Sequence, residues 1–88
     1  MKIAIAHIKN TAAGWNINVM VQAESGQKIT DVEVRVNGFP VVRETPSAPL
    51  DTWEQLLTQQ GVFPGDNRVE VVAHDQKGEE GRAEQKWS

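Results

Sequence analysis

The 88-residue sequence predicts an all-β protein, an antiparallel sandwich of about seven strands. Three observations carry this. Runs of apolar residues alternate with polar ones at a period of two, as in strands that bury one face. Polar turn signals rich in Gly, Asn and Asp separate the runs at short intervals. One of them, Asn37-Gly38, is the dipeptide that two-residue hairpins favour because both residues accept positive φ.

Taken in order, Lys2 to Lys9 has β character, with Ile3 and Ile5 on one face and Ile8 on the other, a slip that predicts a bulge or a change of sheet. After a loop at Asn10 to Gly14, Trp15, Ile17, Val19, Val21 and Ala23 alternate with polar residues and Met20 in the cleanest half-buried strand of the chain. Ser25 to Lys28 is a turn. Ile29, Val32, Val34 and Val36 then face inward, and Asn37-Gly38 hands the chain to Phe39-Pro40-Val41-Val42-Arg43, where Pro40, lacking a donor, marks a sheet edge. Thr45 to Pro49 crosses from one sheet to the other.

The next segment has two readings. Leu50, Trp53, Leu56 and Leu57 have helical spacing, and Asp51 with Glu54 fits a capping box, so the run predicts a short helix near residues 52–60. Its rival is a strand with Trp53, Gln55 and Leu57 on one face. Gln and Leu are good helix formers, which favours the helix. From Arg68 to His74 the alternation resumes, burying Val69, Val71 and Ala73, and Gln76-Lys77-Gly78 turns the chain. The last strand, Gly81 to Trp87, turns Ala83, Trp87 and part of Gln85 inward.

Two segments resemble bacterial immunoglobulin-like or fibronectin-type-III-like modules. They are Val32-Glu33-Val34-Arg35-Val36-Asn37-Gly38 and the run Pro64-Gly65-Asp66-Asn67-Arg68-Val69-Glu70-Val71-Val72-Ala73-His74-Asp75-Gln76-Lys77-Gly78. With the final strand the resemblance covers residues 29 to 88. It implies an immunoglobulin-like sandwich, one domain over residues 1–88, excised from a larger protein; the compartment is left open, with the cell envelope or secretion slightly favoured. Such modules serve as spacers, adhesion units or accessories to catalytic domains. Within the late run, Gly65 permits a tight turn, Asn67 can bond nearby main chain, and Asp75 suits a turn cap.

Composition narrows the function. A net charge of −3 argues against binding nucleic acid phosphates, and no stretch approaches the ~20 apolar residues of a membrane-spanning helix. Cysteine is absent, so neither disulfides nor thiolate zinc sites hold the domain. Ser25, Ser47 and Ser88 fall in loops or at the terminus, outside any nucleophile motif. His7 and His74 fall on the polar alternation, where pairing across strands or solvation is the expected role. Glu70 with Asp75, or Glu33 with Glu24, could form a carboxylate pair, but charges alternating along exposed strands need no such role. No cofactor is expected; calcium is the one ion the turns could serve, through Asp66, Asn67 and Asp75.

The expected activity is therefore that of a non-catalytic spacer or protein-interaction unit whose partners are neighbouring domains or another protein. The alternative is a carbohydrate-binding or adhesive module using an exposed tryptophan. Candidate interaction residues are Trp53, Phe39, Val41, Phe63 and Trp87, with contacts expected from the loops Pro46 to Leu50 and Val62 to Asp66 at one end of the sandwich or from an exposed edge strand near Phe39-Pro40-Val41-Val42.

Overall fold

A computed structural model describes residues 1–11, 14–60 and 67–87, with side chains for 1–6, 16–58 and 67–86. The described residues form seven strands: β1 (Lys2–Thr11), β2 (Gly14–Gln22), β3 (Ile29–Val36), β4 (Phe39–Glu44), β5 (Thr52–Gln60), β6 (Asn67–Asp75) and β7 (Glu80–Trp87). They pair antiparallel in a three-stranded sheet, β1-β2-β5, and a four-stranded sheet, β4-β3-β6-β7.

The sheets face each other over a thin aliphatic core. Ile17, Val19 and Val21 of β2 meet Val32, Val34 and Val36 of β3 and Val69, Val71 and Ala73 of β6, with Ile29, Trp53 and Leu57 completing the cluster. These are the inward positions of the alternation, and β-branched side chains fit such a pleated, buried surface. The slip within β1 is a register break between His7 and Lys9 in its pairing with β2.

The tight Asn37-Gly38 turn decides where β4 goes. Asn37 has φ 52° and Gly38 φ 85°, the left-handed pair that a type I′ hairpin needs. A two-residue connection cannot leave the sheet, so β4 pairs with β3, whereas the constant-type immunoglobulin arrangement puts the fourth strand on the other sheet. Residues 45–51 then make the crossing to β5.

β5 corrects the helix expected over 52–60: the whole segment is a strand, paired with β2 from Gly14↔Gln60 to Gln22↔Thr52 without interruption. Asp51 does not cap a helix. Its carboxylate accepts from Lys28 Nζ at 2.7 Å, and its carbonyl accepts from Ala23 N at 3.0 Å. Nine residues of ladder and the burial of Trp53 and Leu57 outweigh the helical preference of Gln and Leu, which is worth only a few tenths of a kcal/mol per residue.

An odd number of antiparallel strands places the start of β1 and the end of β7 at opposite poles of a body measuring 42 × 19 × 18 Å. The entry pole carries the turns at 23–28 and 76–79 and the 45–51 crossing. At the exit pole lie the Asn37-Gly38 hairpin and the start of β6.

Candidate interaction surface

Both poles are fixed by short polar side chains. At the exit pole Asn37 clamps the hairpin to β6: its Oδ1 accepts from Arg68 N at 2.9 Å and its Nδ2 donates to Asn67 Oδ1 at 3.0 Å. Asn67 is buried there. At the entry pole Asp75 is also buried, and its Oδ1 accepts from Lys77 N at 2.9 Å and Glu79 N at 3.0 Å, closing the turn that Gly78 completes at φ 81°. The late sequence motif thus receives the hairpin clamp at one end of β6 and closes a turn at the other. Eight strand steps separate Asn67 from Asp75, about 26 Å at ~3.3 Å per residue, so these two residues could not both ligate one calcium ion. Asp66 lies outside the described residues, among which no group of three or more His, Asp or Glu is arranged to hold a metal.

The outer face of the four-stranded sheet is a lattice of opposite charges. Arg35 and Arg43 reach Glu33 at 3.1 and 3.4 Å, Arg68 reaches Glu70 at 3.1 Å, and Arg82 reaches Glu80 at 2.7 Å. Several of these pairs are two residues apart on one strand, where side chains share a face. The Arg35 guanidinium holds the Glu33 carboxyl below its usual range, and Arg82 does the same for Glu80. Exposed pairs of this kind contribute little to stability, but they leave no single-signed field to attract a polyanion.

His74 lies in one row of this lattice, between Asp31 and Glu80, with Nδ1 2.6 Å from Asp31 Oδ1 and Nε2 3.4 Å from Glu80 Oε1. The hydrogen bond with Asp31 is the main cause of its raised pKa, opposed by partial burial. Both ring nitrogens are engaged on a sheet surface, the cross-strand pairing expected of this residue.

The interaction candidates separate. Phe39 is 74% exposed and Val41 42% exposed, both on β4, the edge of the four-stranded sheet that Pro40 marked. Val41 is the extra residue of a bulge, because Val34 faces Val42 while Arg35 faces Pro40. Trp53 does not belong with them. It is buried in the core, 5% exposed, and its indole Nε1 donates to Glu44 Oε2 at 2.6 Å, tying β5 to β4 across one open side of the sandwich. An aromatic ring so covered offers no stacking platform, which corrects its place among the candidate interaction residues. Phe63 and the side chain of Trp87 lie outside the described residues. Of the two loops expected to contribute at one end, Pro46 to Leu50 precedes β5 at the entry pole, and Val62 to Asp66 lies outside the described residues. Sequence reasoning missed Leu56, 55% exposed at the middle of β5; under the strand reading, its place opposite to Trp53 and Leu57 in the alternation was the available signal.

No family model matches the chain, nor does any curated protein. Among solved structures, the Clostridium thermocellum CbhA fibronectin(III)-like modules share its architecture at a TM-score of 0.59 and 15% identity, over 97% of this chain and 92% of that one. The fold is that of a fibronectin(III)-like module. Within such a sandwich, the exposed strip Phe39 to Val41 lies beside the exit pole, and the charge lattice occupies a solvated face.

Proposed function

We propose that the chain is a non-catalytic module of a larger bacterial protein, a spacer that also contacts a neighbouring domain or a protein partner through Phe39 and Val41. The observation that carries this reading is the placement of the two ends of the fibronectin(III)-like sandwich at opposite poles of its 42 Å axis. Modules so built extend in series without turning back on themselves. The similar Clostridium thermocellum structure is itself of modules of a larger protein, which supports the same reading. Phe39 stands at the pole from which β7 leaves, where a following domain would meet it. The one histidine with a described side chain has both nitrogens bonded on an open sheet, which fits a structural role better than proton transfer to a substrate.

Small-angle scattering from two copies joined head to tail, measured at high dilution, tests the spacer role. The reading expects a maximum dimension close to twice the 42 Å of one copy. A tandem barely longer than one copy would refute it. Tryptophan fluorescence titrated with a panel of soluble polysaccharides tests the carbohydrate alternative. Quenching at sub-millimolar sugar would favour that alternative over the spacer, whereas burial of Trp53 predicts no response from that residue.

A further inference from the structure

The sandwich has four sheet edges, and three are guarded against strand pairing. On β4, Pro40 supplies no N–H, the Val41 bulge breaks the register, and Arg43 and Glu44 add charge. β1 carries Lys2, Lys9 and its own register break between His7 and Lys9. β7 alternates Glu80, Arg82, Glu84 and Lys86. These are the devices by which proteins blunt an edge.

β5 has none of them. It runs nine residues, Thr52–Gln60, with no proline, bulge, lysine or arginine, and Glu54 is its one charge. Its free hydrogen-bonding groups follow from the ladder. Ala23 N donates to Asp51 O at 3.0 Å, so 23/51 is a bonded pair, and bonded pairs recur at every second residue. Trp53, Gln55 and Leu57 therefore bond to β2. Thr52, Glu54, Leu56, Thr58 and Gln60 turn their N–H and C=O groups outward, away from the sheet.

We infer that this edge pairs with the same edge of a second copy, β5 against β5 antiparallel about a two-fold axis, making one continuous six-stranded sheet from two three-stranded ones. The sequence of β5 favours itself as the partner. Antiparallel pairing with full overlap sets Leu56, the middle residue of the strand, against Leu56 of the second copy. Leu56 is also the large apolar side chain this strand exposes, at 55%. The same register sets Glu54 against Thr58 and Thr52 against Gln60, so no like charges meet. Every outward residue of one strand then faces an outward residue of the other, which allows both hydrogen bonds of each pair to form.

Sedimentation velocity over a concentration series on the single chain tests this inference separately from the tandem experiment, which concerns the long axis. A reversible dimer is expected. Leu56→Lys, at an exposed position, should leave the thermal midpoint unchanged and abolish the dimer by setting two ammonium groups against each other. Thr58→Lys tests the register, because it brings a cation opposite Glu54 of the second copy at two symmetric places. With cross-strand charge pairs contributing their usual amount, it should tighten the dimer by about 2- to 30-fold. A chain that stays monomeric at millimolar concentration, a dimer that survives Leu56→Lys, or a Thr58→Lys variant that weakens association would each overturn the inference.

Discussion

Replacing Asp75 by alanine removes the buried acceptor around which the last turn is built. Its Oδ1 accepts from two backbone N–H groups, Lys77 at 2.9 Å and Glu79 at 3.0 Å. Hydrogen bonds to a charged acceptor contribute about 1.5–3 kcal/mol each. The two donors sit in an exposed turn and regain water when the carboxylate is gone, so the combined loss should be about 1.5–3 kcal/mol rather than twice that. For a domain of this size stability is roughly 4 to 13 kcal/mol, so the variant still folds. Its thermal midpoint should fall by roughly 6–24 °C. Asp75→Asn keeps an acceptor at the same place without the charge and should lose about half as much, since neutral bonds are about half as strong. Urea and thermal unfolding of the three proteins measure both differences. A loss below about 0.5 kcal/mol for alanine, the level of an ordinary surface change, or equal losses for alanine and asparagine, would refute this account of the turn.

Gly38 has φ 85° and open space where a Cβ would stand, so Gly38→Ala should cost only the left-handed backbone penalty, about 1–2 kcal/mol by urea unfolding. Ile17 is fully buried, and Ile17→Ala should cost about 2–5 kcal/mol, a large share of the total in so thin a core. Phe39→Asp, at a side chain 74% exposed, should change stability by less than about 0.5 kcal/mol while weakening contact with whatever partner the exit pole meets. The raised pKa of His74 makes its pairing with Asp31 and Glu80 fully stabilising below the ordinary value of 6.5 and lost as pH rises through the folded value. Urea midpoints measured from pH 5.5 to 8.5 should therefore fall slightly with pH in the native chain and less in His74→Gln.

The strands that read most clearly were those whose chemistry admits one structure. Val32-Val34-Val36 and Val69-Val71-Ala73 are β-branched or small, alternate strictly, and end in turns, and their inward positions are the core. Asn37-Gly38 and Pro40 identified the hairpin and the edge because positive φ and a missing donor are properties of the residues themselves. β5 was harder to read. Leu50, Trp53 and Leu57 satisfy the helical period, while Trp53 and Leu57 also satisfy the period of two, and the deciding term is the nine-residue ladder with β2, a long-range contact that no local pattern contains. The same ambiguity hid the site. A helix would have set Leu56 on one apolar stripe with Trp53 and Leu57, whereas the strand turns Trp53 and Leu57 into the core and leaves Leu56 outside.

Residue-by-residue amide hydrogen exchange across 52–60, at a dilution where the chain is monomeric, tests the sandwich with its open β5 edge most directly. The amides of Trp53, Gln55 and Leu57, bonded to β2, should be protected, and those of Thr52, Glu54, Leu56 and Thr58 should exchange rapidly. Continuous protection from Gln55 onward would restore the helix, and protection of Leu56 and Thr58 in the monomer would mean that the edge is covered; either result would contradict the account.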